Sequence, residues 1–90
     1  MPRRNGVKAG TMHYVYVLQG EADPDRFYIG RTTDLKRRFE EHNSAKSTHT
    51  RKHLPWKLSI YIAFSDTKKA EKFECYLKSG SGRSFAKKHF

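Results

Sequence analysis

Apolar and polar positions alternate with a period of two in three short segments of the chain. Residues 13–19, 26–30 and 57–64 are rich in β-branched and aromatic residues, and the turn-forming sequence GEADPD separates the first two. We predict that these two segments form an antiparallel hairpin and that the last forms a third strand. One buried face of the third strand is expected to hold Leu58, Ile60, Ile62 and Phe64.

A helical period follows the hairpin. Within residues 34–43 the apolar residues Leu35 and Phe39 lie four positions apart, so they form the apolar seam of a first helix. Residues 44–56 between this helix and the third strand are polar and basic, and the segment is long for a connection in a compact domain. We therefore interpret it as a candidate binding loop.

Two further helices are predicted at the end of the chain. A second helix within 66–80 ends at Gly80, and its buried stripe is Ala70, Phe73 and Leu77. A third helix within 81–90 uses Ser81 as its cap and Phe85 as its anchor. The fold class is accordingly α+β, with a three-stranded antiparallel sheet flanked by about three helices.

The length of the chain, 90 residues, corresponds to one domain. Residues 1–11 are rich in Arg, Lys and Gly and have no periodicity, so we predict a disordered basic arm there. The folded domain is expected over residues 12–90.

The charge of the chain favours a polyanionic partner. Nineteen Lys and Arg outnumber nine Asp and Glu, which gives a formal net charge of +10. A soluble protein with a basic surface and no polyanionic partner would have the same excess of positive charge. No run reaches the roughly 18 to 20 apolar residues of a transmembrane helix, and no secretory signal is present, so no membrane partner is expected. The single cysteine, Cys75, excludes an intrachain disulfide and suits a reducing, cytoplasmic location.

Four residues of the hairpin and first helix form a candidate site. Strand alternation places Tyr16 and Tyr28 on one face of the hairpin, although each tyrosine is also simply a good strand residue. Arg38 and His42 are one helical turn apart, and Arg38 borders the apolar seam. His42 is equally well interpreted as a residue that interacts with the dipole at the end of its helix.

Glu74 is the acidic residue with the most informative position. It lies at the rim of the apolar stripe of the second helix, where it is either an ion-pair partner, for example of Arg38, or a ligand of a hard cation such as Mg²⁺. From the residues alone we favour the ion pair. The other acids fall in the hairpin turn, at helix caps or among surface charges, which argues against a two-metal site.

These positions together resemble a known family. The landmarks, in chain order, are YVY at 14–16, YIG at 28–30, Arg38, His42 and Glu74. Over about residues 13–89 the chain resembles the GIY-YIG nuclease superfamily, most closely its small bacterial single-domain members. Two features depart from the family pattern: Tyr14 stands where the family name has glycine, and the end of the chain has no asparagine. The resemblance implies the same sheet and helices that the periodicity predicts.

The resemblance also implies a role for each residue of the candidate site. Tyr16 would be the general base, and Tyr28 its partner near the attacking water. Arg38 would contact the scissile phosphate, since a guanidinium can bind two phosphate oxygens at once, and His42 would assist in the pocket. Glu74 would hold one divalent ion, Mg²⁺ or Mn²⁺, and no small-molecule cofactor is expected.

The leading hypothesis is a metal-dependent endonuclease that hydrolyses DNA phosphodiesters in DNA repair or processing, with a preference for structure or weak sequence specificity. The alternative is a catalytically silent DNA-binding module with a vestigial nuclease site. A third interpretation is an interaction protein with a patch of Trp56, Tyr61 and Phe90, although Trp56, just after Pro55 at the start of a strand, is better interpreted as a core residue. The sequence leaves the oligomeric state and the choice between DNA and RNA open. Residues expected to grip phosphates are Arg31, Arg37, Arg51, Lys52 and Lys78.

Overall fold

The structure, a computed structural model, describes residues 11–90, so the predicted basic arm lies, apart from Thr11, outside the described residues. The strands are β1 (His13–Gly20), β2 (Phe27–Thr32) and β3 (Trp56–Phe64). The helices are α1 (Leu35–Asn43), α2 (Thr67–Lys78) and α3 (Gly80–His89), and a single 3₁₀ turn covers Arg51–His53. None of the helices described is long and apolar enough to cross a bilayer.

The three strands form one antiparallel sheet in the order β2-β1-β3, which confirms the predicted α+β fold class. The central strand β1 has a different environment on each face. Val15 and Val17 lie on one face with Ile29 of β2, where α2 and α3 cover them as an apolar core. Tyr16 and Leu18 lie on the other face, where α1 and the segment before β3 cover them.

A β-bulge corrects the prediction for β3. Val17 pairs with Ile60 whereas the next residue, Leu18, pairs with Leu58, so Ser59 is the extra residue of the bulge. Leu58 therefore packs on the Tyr16 face, while Ile60 packs with the apolar core under α2 and α3. The predicted single face for these two residues is wrong, because the extra residue reverses the alternation.

The corner between α2 and α3 also differs from the prediction. α2 ends at Lys78, before the predicted Gly80, with Ser79 as its C-cap; the same Ser79, not Ser81, is the N-cap of α3. The Ser79 hydroxyl donates to the Tyr76 carbonyl at 2.6 Å and accepts from the Gly82 amide at 3.1 Å. One side chain thus satisfies backbone groups of both helices, and α3 begins directly at Gly80.

Phe85 is not the anchor of α3. Gly82 and Ala86, one helical turn apart, are buried, and a Cβ on Gly82 would collide with the backbone carbonyl of Tyr76. The two helices approach too closely there for an aromatic side chain to lie between them. Phe85 is instead 38% exposed and packs at the side, against Tyr76 and Phe90.

Candidate active site

The phenol of Tyr16 reaches the site by lying over a glycine. Tyr16 is 1% exposed in the central strand, and its partner on the neighbouring strand β2 is Gly30. A Cβ on Gly30 would collide with the Tyr16 hydroxyl and ring. The Tyr16 phenol therefore requires a glycine at this position of the YIG sequence, since any larger residue would displace the phenol.

His42 is the centre of a buried chain of hydrogen bonds. Its Nε2 lies 2.7 Å from the Tyr16 hydroxyl, and its Nδ1 lies 2.8 Å from the Thr50 Oγ1. The side chain is fully buried, and this burial, with a smaller contribution from the charge of Arg38, lowers its pKa to about 4. His42 is therefore a neutral imidazole at pH 7. Its role as a mere helix-end residue, the alternative from the sequence, does not account for these two hydrogen bonds.

Sequence reasoning missed Thr50, which holds the second nitrogen of His42. Thr50 is fully buried, and its carbonyl accepts a hydrogen bond from Trp56 Nε1 at 2.9 Å. Helix or strand periodicity cannot relate a threonine in a polar loop to a histidine on the preceding helix. The sequence therefore carries no signal for this pair. The loop that we predicted as a binding loop is thus also a support for His42.

The end of the same loop is tied to α1. Asn43 donates to the Trp56 carbonyl at 2.8 Å and accepts from the Trp56 amide at 2.7 Å. Trp56 is 2% exposed and packs with the Tyr16 side of the sheet. It is therefore a core residue, as the sequence favoured, and not part of an exposed interaction patch.

Tyr28 completes the aromatic wall of the site. Its ring centroid lies 4.9 Å from that of His42 and 6.4 Å from that of Tyr16. Tyr28 is half-buried, and its hydroxyl has no hydrogen-bond partner among residues 11–90. The structure thus brings Tyr16, Tyr28 and His42 into direct contact.

Arg38 lies beside this aromatic group. Its Nη1 donates to Glu41 Oε1 at 2.9 Å, which orients the guanidinium at the edge of the site. Burial raises the pKa of the Tyr16 phenol to about 12, Tyr28 adds to the rise, and Arg38 opposes it. The positive charge of Arg38 favours the phenolate, but burial outweighs it. Tyr16 is therefore a neutral phenol at pH 7.

Glu74 is held by cations of two elements. Its Oε1 lies 3.1 Å from Arg31 Nε on β2, and its Oε2 lies 3.1 Å from Lys78 Nζ on α2. The suggested ion pair with Arg38 is wrong, because Arg38 pairs with Glu41 of its own helix. The charge of Glu74 is nevertheless close enough to contribute to the raised pKa of Tyr16.

The surroundings of Glu74 fit a single divalent ion with an incomplete protein shell. Its side chain is 16% exposed, so it is not sealed from solvent. No group of three or more His, Cys, Asp or Glu side chains that suits a metal is present among the described residues. Mg²⁺ is commonly bound by one or two carboxylates together with waters and substrate phosphates, and Glu74 matches that arrangement.

The five basic residues expected to contact phosphates differ in whether acidic side chains already pair with them. Arg31 and Lys78 are engaged by acidic residues of α2. Arg37 is 71% exposed on α1, with carboxylates at the limit of ion-pair distance. Arg51 and Lys52 are exposed on the 3₁₀ turn and have no ion pair within the described part of the chain.

Comparison with known proteins assigns the chain to a family. The model of the GIY-YIG catalytic domain matches residues 12–88. The chain belongs to the GIY-YIG family. The GIY-YIG domain is a nuclease domain, and GIY-YIG nucleases are generally dependent on a divalent metal.

Similar proteins come from several bacteria. A UPF0213 protein of Streptococcus pneumoniae serotype 4 is 42% identical over 66 residues, which cover 72% of this chain and 65% of that protein. A UPF0213 protein of Streptococcus pyogenes serotype M5 is 39% identical over 72 residues, which cover 79% of this chain and 76% of that protein. The solution NMR structure of the UPF0213 protein BH0048 from Bacillus halodurans has a TM-score of 0.53 and 34% identity, and the match covers 84% of this chain and 80% of that one. The GIY-YIG family member thus shares its fold with a small bacterial relative.

Proposed function

We propose that this GIY-YIG domain is a metal-dependent endonuclease that hydrolyses DNA phosphodiesters, with Tyr16, Tyr28, Arg38, His42 and Glu74 as its site. The observation that carries the proposal is the buried chain of hydrogen bonds from Tyr16 through His42 to Thr50. Any buried imidazole needs a partner for each of its nitrogens, but here the partner of Nε2 is a phenol that Arg38 also approaches. Such a chain gives a nuclease a path by which to accept a proton from the attacking water.

The two pKa shifts define how the proton moves. Tyr16 is a neutral phenol and His42 a neutral imidazole, so Tyr16 accepts the water proton only if it passes its own proton to His42 Nε2. This transfer requires the tautomer in which His42 Nδ1–H donates to Thr50 Oγ1. A phosphate that arrives beside the site adds negative charge, which favours the imidazolium and makes the transfer easier.

Arg38 and Glu74 act on the phosphate. The Arg38 guanidinium is only partly buried and presents donors to the phosphate oxygens that gain charge in the transition state. Glu74 would hold the divalent ion, which when bound neutralises the charge on the leaving oxygen. Before it binds the ion, Glu74 must release at least one of its present partners, Arg31 or Lys78.

Cleavage of a panel of labelled DNAs tests the proposal. Duplex, single-stranded, flap and branched substrates are incubated with Mg²⁺ or Mn²⁺ and the unmutated protein, Arg38→Gln or Glu74→Gln. We expect metal-dependent cutting that falls by at least about a hundredfold in both variants. The matched controls are Arg26→Gln, in the hairpin turn, and Glu40→Gln, on the exposed side of α1, which should keep activity within about threefold. Cutting by the unmutated protein that survives both site variants would refute this assignment of residues.

The catalytically silent DNA-binding module is the second candidate, and one observation favours it. Both oxygens of Glu74 are already satisfied by cations, which is a stable arrangement without any metal. Binding of the whole panel without cutting, in Mg²⁺ and in Mn²⁺, would select this candidate.

A further inference from the structure

A cleft lies between the edge strand β2 and α3. Most of its lining residues are on the side of the sheet opposite Tyr16 and His42, but Tyr28 of the proposed site also lines it. Its volume is about 450 Å³, within the range of about 300 to 1,000 Å³ that is usual for small-molecule and cofactor sites. Its walls include Val17, Phe27, Ile29 and Ala86, so its floor is mainly apolar. Such a floor suits the flat face of an aromatic ligand.

The rim of the cleft is positively charged. Lys78, Arg83 and Lys87 line it, whereas Asp25 at the hairpin turn is the acid among its lining residues. Arg83 and Lys87 are exposed and make no ion pair within residues 11–90. The Arg83 Nε donates to the Lys78 carbonyl at 3.2 Å, which orients the guanidinium and leaves its terminal nitrogens available.

The cleft begins beside the candidate metal ligand. Lys78, which lines the cleft, is the same residue whose Nζ lies 3.1 Å from Glu74 Oε2. A polyanion bound in the cleft therefore contacts a residue, Lys78, that itself contacts Glu74. This shared residue connects the cleft to the proposed nuclease site, although neither Arg83 nor Lys87 contributes to that site.

We propose that this cleft binds an unpaired nucleotide of the substrate strand, with the base on the apolar floor and its flanking phosphates on Arg83 and Lys87. Inside a duplex the bases are stacked and paired, so their faces are not available to such a floor. The base edge meets the Asp25 carboxylate, which accepts hydrogen bonds but repels phosphate. The cleft thus selects substrates with a single-stranded segment next to the cleavage point. This inference rests on the proposed nuclease function and adds a substrate class to it.

Fluorescence anisotropy without metal tests the cleft separately from cutting. The probes are a labelled oligothymidylate, the same backbone with abasic residues, and a duplex, each in EDTA. The test variant is Arg83→Gln with Lys87→Gln, and the matched control is Lys72→Gln with Lys88→Gln, which removes the same charge from α2 and α3 outside the cleft.

We expect the dissociation constant for oligothymidylate to rise at least about tenfold in the test variant and less than about threefold in the control. The abasic probe should bind the unmutated protein about tenfold more weakly than oligothymidylate, because it has no base for the floor. The salt dependence for oligothymidylate should also lose about 0.7 in slope for each phosphate contact removed.

An equal loss in the test and control variants, or an equal loss on duplex and single strand, would overturn the inference, because charge alone would then account for binding. Equal affinity for the abasic probe would overturn the place of the base. These outcomes do not depend on catalysis. If the protein has the expected binding pattern but never cuts DNA, the cleft proposal stands and the nuclease proposal is refuted. If it cuts DNA without this binding pattern, only the cleft proposal is refuted.

Discussion

The two faces of the sheet differ in how they are held together. Under α2 and α3 the core consists of apolar side chains, among them Val15, Val17 and Leu77. Under α1 and the 44–56 segment, Tyr16 and His42 are equally buried but are joined by hydrogen bonds. One face gains its stability from apolar burial, which tolerates no polar group without a partner. The other face has the polar groups that chemistry needs, and there the Tyr16 hydroxyl and both ring nitrogens of His42 are satisfied by neighbours.

This difference indicates a division of labour within one small sheet. Because successive residues of a strand point to opposite faces, Tyr16 has its place between Val15 and Val17 without interrupting the apolar core. Changes of the apolar residues under α2 and α3 should therefore alter stability, and changes of the hydrogen-bonded Tyr16 and His42 should alter activity.

The largest effect is expected from truncation of the apolar core. Leu77→Ala leaves a cavity where Leu77 is 1% exposed, so the free energy of unfolding should fall by about 2 to 5 kcal/mol in urea titrations. Activity per folded molecule should not change. Tyr76→Ala, next to it but 43% exposed, is the control and should cost clearly less. An equal cost at Tyr76 would contradict the distinction between core and surface.

The matching change on the chemical face is Tyr16→Phe. Removal of one hydroxyl interrupts the proton path to His42, so the cleavage rate should fall by about a hundredfold, with the free energy of unfolding lowered by about 1 to 3 kcal/mol because His42 Nε2 loses its partner. Tyr14→Phe, on the same strand and outside the hydrogen-bond chain, should cut at close to the normal rate. A pH–rate profile of Tyr16→Phe equal to that of the unmutated protein would exclude Tyr16 from the proton path.

Two glycines sharpen the comparison. Gly30→Ala and Gly82→Ala should each destabilise the protein by about 1 to 3 kcal/mol, because each new Cβ collides with a neighbour. The neighbour of Gly30 is the Tyr16 side chain, so Tyr16→Ala should relieve the Gly30→Ala cost in a double-mutant cycle. The neighbour of Gly82 is the Tyr76 backbone, and Tyr76→Ala should give no relief. Additive effects at Gly30 and Tyr16 would show that the two positions do not meet.

The smallest effect is expected from pH. The pKa of His42 is about 4 in the folded protein against an ordinary 6.5, so between these values the unfolded state binds a proton that the folded state does not. Stability is full above pH 6.5 and falls as the pH drops towards 4, by no more than about 2 kcal/mol at pH 5. His42→Gln should remove this part of the pH dependence in urea titrations, whereas His89→Gln should retain it. Identical pH profiles for the two variants would contradict a buried neutral His42.

Much of the fold was predictable because it depends on local periodicity. The three strands, the seam of Leu35 and Phe39 and the stripe of α2 follow from apolar residues at periods that each element requires. The errors fall where a period is interrupted. The bulge at Ser59 reverses the face of Leu58, and the serine corner at Ser79 replaces the expected glycine stop.

The candidate site was predictable only in part. The order of the landmarks along the chain named Tyr16, Tyr28, Arg38, His42 and Glu74, and the family model agrees with the resemblance that suggested them. The partners from other elements were not predictable. Thr50 is brought to His42 by a loop, and Arg31 is brought to Glu74 by the approach of α2 to the edge strand. Lys78, in contrast, reaches Glu74 along the same helix, four residues further on.

The sequence by itself determined the sheet, the helices, the excess of positive charge and the family, because these depend on residue order and composition. Only the tertiary structure decided which groups are charged and which neighbours they have. Burial keeps Tyr16 a neutral phenol despite the nearby Arg38 and lowers the pKa of His42 to about 4, and burial depends on how helices and loops cross the sheet. The cleft beside α3 has the same origin, since its apolar floor and basic rim come from segments that are far apart in the chain.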